Sequence, residues 1–198
     1  MERRGKMEET RNEKPFLVSS NQRKRIEFLR FGLELDVRSG ADIKEILAEP
    51  DDVAIHKAIA AGPGAIVEDT ILRIDGVDVV DVRWRLAELG AAADDAPRAE
   101  WIVTLAKNDG ENVTLHRGVV LGKIIPPENV PDDAFGFDAH FVPDDAEGRS
   151  LHELEKLGVK DKFSARKAAV VSLIENRSSK TVRIAEVPPW NGPMQNEQ

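Results

Sequence analysis

The chain has 198 residues, of which 41% are hydrophobic, and its 36 acidic and 28 basic side chains give a net charge of −8 at pH 7. This size and apolar content predict one folded domain with a real core, whereas the acidity argues against a general nucleic-acid binder, which needs a basic surface. The chain has no cysteine, which excludes disulfides, zinc–thiolate sites, iron–sulfur clusters and cysteine nucleophiles, and no apolar run approaches the ~18 residues of a membrane span.

The first half of the chain alternates between predicted strands and helices. Residues 1–14 are charged and predict a disordered leader without a secretory signal, so we expect a cytoplasmic protein. Short apolar runs predict strands at 15–20, 33–37, 65–69 and 71–75. Helices are predicted from the N-cap residue Asn21 onward, at 51–61 and at 80–89.

The second half predicts a β-hairpin followed by two helices. Residues 100–107 and 112–120 are rich in β-forming side chains and flank an Asn-Asp-Gly turn, which tolerates positive φ. Helices are predicted at 150–157 and 164–176, and residues 187–198 are expected to form a flexible tail whose Trp190 can dock on the body. We therefore expect a single domain over 15–186 with an α/β fold, in which helices pack around a sheet.

Several catalytic signatures are absent from the sequence. It has no G-x-x-x-x-G-K-[ST] phosphate loop, no G-x-G-x-x-G fingerprint and no G-x-S-x-G nucleophile elbow. The four histidines show no H-E-x-x-H spacing and are interpreted as structural or surface residues. The candidates for chemistry are therefore polar residues at the ends of the predicted elements.

The first candidate group lies where the opening strand enters a helix, in Ser19-Ser20-Asn21-x-x-Lys24-x-x-Glu27. Amides at a helix N-terminus attract anions, and Lys24, one turn into the helix, adds a positive charge that suits a phosphate. The alternative interpretation is an Asn cap followed by a solvated Lys/Glu face.

The second candidate group is the carboxylate pair Glu68-Asp69 at the end of a buried strand. Buried carboxylates are costly unless they are paired or bind a metal, and Mg²⁺ takes one or two carboxylates together with substrate phosphates. Glu49 is a further candidate ligand. Because neighbouring strand residues point to opposite faces, we expect only Asp69 to face the metal. The alternative is a simple turn at Glu68-Asp69-Thr70.

The third candidate group is the aromatic segment Phe135-Gly136-Phe137-Asp138. Its rings can stack on a flat base, and its carboxylate can accept hydrogen bonds from base N–H groups. The alternative interpretation is an aromatic core cluster with a turn Asp.

The fourth candidate group is Lys160-x-x-x-Ser164-Ala165-Arg166. Ser164 is a good N-cap for the following helix. Arg166 opposes the helix dipole in the first turn, which an anionic ligand would explain. The alternative is an outward-pointing Arg with little energetic effect.

In this order and spacing, the four groups resemble the inosine-triphosphate pyrophosphatase family over about residues 16–176. FLVSSNQRKRIE (16–27) resembles the family's opening strand and T-G-N-x-x-K-x-x-E motif, and EPDDVAIHK (49–57) resembles its acidic loop and helix. VEDT (67–70) is similar to the acidic metal motif of the eukaryotic branch, and HRGVVLGKIIP (116–126) is similar to the F-x-G-x-x-x-G-x-I strand. FGFDAHFVP (135–143) resembles F-G-[WF]-D-P-x-F-x-P, and residues 150–166 resemble the closing segment that ends in K-N-x-x-S-H-R.

The resemblance implies an elongated, twisted mixed β-sheet with helices around it, two lobes and a central cleft. It also implies a homodimer that uses Mg²⁺ to hydrolyse a nucleoside triphosphate, such as the non-standard purines ITP, dITP or XTP, to monophosphate and pyrophosphate. The implied catalytic residues are Asp69, Glu68 and Lys24, and the implied metal ligands are Glu49 and Asp69. The implied substrate contacts are Ser19, Asn21, Lys57, Phe135, Phe137, Asp138, Lys160, Ser164 and Arg166.

The sequence departs from the family pattern mainly where the family reads the base. Ala165 replaces the histidine of S-H-R, Ala139 replaces the proline after the F-G-x-D aspartate, Ser20 replaces the glycine of T-G-N, and the G-L-P-G segment is missing. The phosphate and metal residues are better kept, so we expect pyrophosphohydrolase chemistry with an open choice of base. The alternatives are a specialised branch acting on a different or modified purine nucleotide and a non-catalytic nucleotide-binding protein of the same fold.

Overall fold

The computed structural model describes residues 15–38, 43–79, 96–126 and 129–195. Its strands are β1 (Phe16–Val18), β2 (Asp36–Arg38), β3 (Ala65–Ile74), β4 (Val77–Val79), β5 (Arg98–Asn108), β6 (Asn112–Ile124), β7 (Phe141–Pro143) and β8 (Lys180–Arg183). Its α-helices are α1 (Gln22–Arg30), α2 (Pro50–Ala61), α3 (Leu151–Lys156) and α4 (Ala165–Ile174), and 3-10 helices cover Lys160–Phe163 and Ile184–Glu186. The helix predicted at 80–89 and the leader at 1–14 lie outside the described residues.

The strands form one open, mixed sheet. Its order is β2-β1-β3-β5-β6-β7, with β4 paired to β3 and β8 paired to β6. β1 runs parallel to β2 and β3, and the other pairings are antiparallel. The predicted α/β class is thus confirmed. No helix in the four described stretches is long and apolar enough to cross a membrane.

The predicted helix caps are confirmed. Asn21 Oδ1 accepts hydrogen bonds from the amides of Arg23 (3.1 Å) and Lys24 (3.2 Å) at the start of α1. Ser164 Oγ accepts one from the amide of Lys167 (3.2 Å) at the start of α4. Each cap satisfies amides that have no partner within the helix, a contribution of about 1 kcal/mol in similar cases.

The strand that carries the carboxylate pair is longer than predicted. Residues 65–69 and 71–75 are expected as two strands, but the single strand β3 covers residues 65–74 and pairs with β5 without a break. The alternative of a turn at residues 68–70 is therefore wrong, because the backbone there is held in the ladder. β2 is only three residues long and begins at Asp36, later than predicted.

Helices cover both faces of the sheet. On the face that we call the α2 face, Val67, Ala106 and Leu115 pack against Ala54 and Ala58 of α2. On the opposite side, the α4 face, the core joins β3, β5, α1, α4 and an aromatic group, and includes Leu72, Val103, Leu105, Phe28, Ala165, Ala169, Trp101, Phe137 and Phe141. Since side chains alternate along a strand, neighbouring residues of β3 serve different faces.

Helix α4 lies unusually close to β6 at Gly118. A Cβ at this position would lie 2.0 Å from the Ala165 carbonyl oxygen and 2.4 Å from the Ala169 amide nitrogen, which leaves no room for any side chain. The first turn of α4 therefore rests directly on the strand, and this contact fixes the position of Arg166 over the α4 face.

The C-terminal residues 187–195, expected as part of a flexible tail, lie against the body of the protein. The Trp190 ring packs edge-on to His56 of α2 with 6.1 Å between ring centroids. Further on, Met194 forms an antiparallel bridge with Ile46. The docking expected for Trp190 is thus found, and it extends over several residues.

Candidate active site

The two adjacent carboxylates of β3 point to opposite faces of the sheet. Glu68 lies on the α4 face, where its partners come from α1 and α4. Asp69 lies on the α2 face, where its charged partner is Lys57 of α2 at 3.9 Å. The expectation that only one of the two faces a given ligand follows from this alternation.

Glu68 is a fully engaged anion. Its carboxylate accepts hydrogen bonds from Lys24 Nζ, from Thr70 Oγ1 (2.5 Å) and from Arg166 Nη2 (3.1 Å). Burial alone would raise the pKa of Glu68, but the Lys24 and Arg166 charges outweigh burial and hold that pKa well below its usual range. Glu68 therefore positions the two cations and does not accept protons near neutral pH.

The ion network continues from Arg166 toward the aromatic segment. Arg166 also donates to Glu27, whose other carboxylate oxygen lies 3.5 Å from Lys160 Nζ. Lys160 in turn donates to Asp138 at 2.5 Å. Burial raises the pKa of Asp138, although Lys160 opposes this shift. Cations and carboxylates thus alternate along the six groups of the network, which run in the order Lys24, Glu68, Arg166, Glu27, Lys160 and Asp138.

Glu27, the last residue of the first candidate group, was given no role from the sequence and is a member of this network. It is 8% exposed and faces the sheet, rather than forming part of a solvated Lys/Glu face. Its spacing of one helical turn from Lys24 was the available signal, since residues i and i+3 share a helix face. The next residue, Phe28, is 1% exposed and identifies the buried side of α1.

Asp69 occupies a different electrostatic environment on the α2 face. Burial raises its pKa to about 6; Lys57 opposes this rise, and the carboxylates of Glu45 and Glu68 add to it. For Lys57, burial works to lower the pKa, but Glu45 and Asp69 outweigh it and the pKa is raised. Lys57 thus stays protonated, while Asp69 can exchange a proton close to neutral pH.

Glu45 is a residue that the sequence analysis did not single out. Its carboxylate accepts a hydrogen bond from Lys57 Nζ, the same ammonium group that lies beside Asp69. The predicted ligand Glu49 is exposed at the N-cap position of α2. Its charge acts on Arg73, whose pKa is raised chiefly by a hydrogen bond to Asp78. No local sequence pattern distinguishes Glu45 from Glu49. The structure does, because Glu45 contacts Lys57, which lies beside Asp69.

The oxygen donors around Lys57 fit a divalent metal. One cation already lies between two carboxylates, Glu45 and Asp69, and Mg²⁺ typically takes one or two carboxylates with substrate phosphates and water. Within residues 15–38, 43–79, 96–126 and 129–195, no group of three or more His, Cys, Asp or Glu side chains could hold a metal ion. A metal at this point would therefore complete its coordination with phosphate or water oxygens.

The residues predicted to contact phosphates converge at the start of α1. Ser19 Oγ accepts from the Asn21 amide at 3.3 Å, and Asn21 itself caps the helix. Lys24 follows one turn later and reaches Glu68. Lys57 donates to the Glu68 carbonyl oxygen at 3.2 Å from the α2 side. Lys24 and Lys57 thus approach the same stretch of β3 from its two faces.

The residues predicted to frame a base already have partners within the protein. Phe137 is 8% exposed and packs edge-on against Trp101 and Phe141, with 5.7 and 6.0 Å between ring centroids. Phe135 is half-buried and lies 5.5 Å from the Arg23 guanidinium. Ser164 caps α4. The base-binding roles of these residues stay predictions.

Fold and site together define an α/β protein in which cations and carboxylates from several elements converge on one strand. The family model described as the Ham1 family matches residues 81–176. The chain is 29% identical over 151 residues to an inosine triphosphate pyrophosphatase of Neurospora crassa, an alignment that covers 68% of this chain and 75% of that protein. It is 28% identical over 193 residues to a dITP/XTP pyrophosphatase of Mycolicibacterium paratuberculosis, with coverage of 81% and 94%.

The fold is similar to a solved structure as well. A HAM1 protein from Coxiella burnetii matches with a TM-score of 0.60 at 23% identity, covering 82% of this chain and 98% of that chain. The family model and the relatives support this chain as a divergent relative of the Ham1 family, and the solved structure has a similar fold. The family resemblance in the motifs is thereby confirmed.

Proposed function

We propose that this protein is a Mg²⁺-dependent nucleoside-triphosphate pyrophosphatase that acts on non-standard purine nucleotides such as ITP, dITP or XTP. Relatives over most of the chain carry the names inosine triphosphate pyrophosphatase and dITP/XTP pyrophosphatase. The observation that carries the proposal is the Asp69 carboxylate, whose side chain is 14% exposed and lies 3.9 Å from the Lys57 ammonium, a cation that also contacts Glu45. Such a group can accept a proton from water next to an anionic substrate.

In the proposed reaction, a water oxygen attacks the α-phosphorus, the bond to the β-phosphate breaks, and monophosphate and pyrophosphate leave. Asp69 accepts the proton of the water, and Lys24 and Lys57 bind phosphate oxygens on either side of β3. Arg166 and Lys160 hold the substrate from the α4 face. When bound, Mg²⁺ at Glu45 and Asp69 neutralises phosphate charge, which is the main requirement of phosphoryl chemistry. By family resemblance we also expect a cytoplasmic homodimer.

A second candidate is a branch of the family with a different base preference. Ala165, which stands where the family pattern has a histidine, is fully buried against the sheet and has no polar atom in its side chain. A hydrogen bond to the base from this position is therefore absent. This observation favours a different or modified purine as substrate, with the same chemistry at the phosphates.

A panel of nucleotides separates these candidates. Purified protein is incubated with Mg²⁺ and each of ITP, dITP, XTP, GTP, ATP and dATP, and the released pyrophosphate is measured. The main proposal predicts the highest kcat/KM with ITP, dITP or XTP. If these are no better than GTP and ATP, the assignment to non-standard purines fails and the second candidate gains support.

Replacement of Asp69 tests the catalytic assignment. Asp69→Asn should lower kcat by about 10²–10⁴-fold, because the amide cannot accept the proton of water. Asp52→Asn is a matched control, since Asp52 is an exposed carboxylate in the first turn of α2 and has no part in the proposed site. Unchanged pyrophosphate release in Asp69→Asn would remove Asp69 from the mechanism. Absence of release from every nucleotide by the wild type would favour a non-catalytic binding protein.

A further inference from the structure

The loop that carries Glu45 has its backbone held by the C-terminal segment. Residues 43–49, the Glu45 loop, lead into α2 without a helix or a strand ladder of their own. The carbonyl oxygen of Glu45 accepts a hydrogen bond from the amide of Gln195 at 2.8 Å. The amide of Leu47 donates to the carbonyl oxygen of Pro193 at 3.0 Å. These bonds hold the backbone from Glu45 to Leu47 and so limit where the Glu45 side chain can lie.

Further contacts join the same two segments. Gln195 Nε2 donates to the Ile46 carbonyl oxygen at 3.1 Å, and Ile46 forms an antiparallel bridge with Met194. The Ile46 side chain is 5% exposed, so the loop also buries apolar surface. The Glu45 carboxylate itself is 32% exposed at its side chain and is bound to Lys57. The position of Glu45 therefore depends largely on the backbone that the C-terminal segment holds.

The C-terminal segment is itself anchored upstream of these bonds. Trp190 packs edge-on to His56 of α2, and its indole N–H donates to the Pro193 carbonyl oxygen at 3.0 Å. Val187 packs on the same α2-face cluster as Ile43, the first described residue of the Glu45 loop. The C-terminal segment thus links Ile43, at the start of the Glu45 loop, to α2, the helix that carries Lys57.

We propose that residues 187–195 form a strap that fixes the Glu45 loop and so positions Glu45 for the divalent cation shared with Asp69. The part of this proposal that concerns the cation rests on the proposed function. A loop that is ordered before binding loses less conformational entropy when the cation arrives, so the strap raises the affinity for the cation. The strap lies beyond residue 176, where the family-model match ends. It is a feature of this chain outside the matched part.

Two substitutions of one residue test the strap in the full chain. Gln195→Pro removes the amide N–H that bonds to Glu45 and the side-chain amide that bonds to Ile46. Gln195→Ala removes only the side-chain bond and is the matched control. Trp190→Ala, which removes the contact with His56, is a second, independent variant. Thermal unfolding of each variant first establishes that the chain is folded.

The first measurement is amide hydrogen exchange over residues 43–49 without metal. Gln195→Pro should increase the exchange rate of the Leu47 amide by about tenfold or more, because the Pro193 acceptor moves away, whereas Gln195→Ala should change it by less than about threefold. Trp190→Ala should have an intermediate effect. Unchanged exchange in both Gln195→Pro and Trp190→Ala would overturn the proposal.

The second measurement is the Mg²⁺ concentration that gives half-maximal pyrophosphate release. Gln195→Pro should raise it by about fivefold or more, with kcat at saturating Mg²⁺ within about twofold of wild type. Faster loop exchange without a change in Mg²⁺ requirement would show a merely structural contact and overturn the positioning role. If the wild type hydrolyses no nucleotide, the proposed function fails, while the exchange measurement still decides whether the strap holds the loop.

Discussion

Glu68 and Asp69 are neighbours on β3 with the same charge and opposite electrostatic surroundings. Glu68 has two cations as hydrogen-bond donors, and its pKa is held well below its ordinary value of 4.5. The Asp69 side chain is 14% exposed with one cation at 3.9 Å, and desolvation raises its pKa from 3.8 to about 6. Folding therefore favours the ionised form of Glu68 and the neutral form of Asp69.

This difference predicts opposite effects of the two amide substitutions on stability. Glu68→Gln should lower the free energy of unfolding by about 3–5 kcal/mol at pH 7, because it removes the carboxylate that pairs with Lys24 and leaves the buried Arg166 with Glu27 alone. The contribution of Glu68 is present above its ordinary pKa of 4.5 and is lost as the pH falls below it, since the folded pKa is lowered. The deficit of Glu68→Gln should therefore shrink in acid.

In metal-free buffer, Asp69→Asn should raise the free energy of unfolding, whereas Glu68→Gln lowers it. The folded pKa of Asp69 is raised, so its favourable contribution is present below pH 3.8 and is lost as the pH rises through about 6. At pH 8 the neutral amide should raise the free energy of unfolding by about 1–3 kcal/mol relative to wild type. Urea unfolding with EDTA at pH 4 and pH 8 measures both variants. A less stable Asp69→Asn at pH 8 would contradict the assigned environment.

At the scale of elements, the contact between β6 and α4 determines where Arg166 lies. Gly118→Ala should destabilise the protein by about 1–3 kcal/mol or more, because the new methyl group would overlap the backbone of α4 at Ala165 and Ala169. The helix must shift, and with it Arg166, so activity should fall together with stability. Unfolding and pyrophosphate release are measured on the same samples.

The neighbouring residue provides the control for this substitution. Val119 is 42% exposed on the same strand, so Val119→Ala should change stability by about 0.5 kcal/mol or less. Equal stability of Gly118→Ala and wild type would show that α4 can move away from β6 without loss.

The structure also shows which parts of the elements were predictable from the sequence. Caps such as Asn21 and Ser164 were predictable because they depend on hydrogen bonds within four residues. The contact between Glu45 and Lys57 was not, because it joins residues twelve positions apart across the first turns of α2. The burial of Phe137 and the docking of the C-terminal segment likewise depend on contacts between segments distant in sequence.

At the scale of the whole molecule, negative charge is in excess both overall and in the candidate site. The chain has a net charge of −8. The described site groups that form ion pairs are the cations Lys24, Lys57, Lys160 and Arg166 and the carboxylates Glu27, Glu45, Glu68, Asp69 and Asp138. The cations are thus already paired, and a nucleoside triphosphate would add further negative charge.

This balance predicts that catalysis requires a divalent cation and that added salt cannot replace it. With EDTA, pyrophosphate release should fall by about 10²-fold or more, because the carboxylates of Glu45 and Asp69 then repel the phosphates. Mg²⁺ should restore the rate. KCl at equal ionic strength should not, since salt screens charges over about 8 Å and cannot neutralise groups in direct contact. Full activity with EDTA, or recovery with KCl alone, would show that the cationic side chains suffice without a metal.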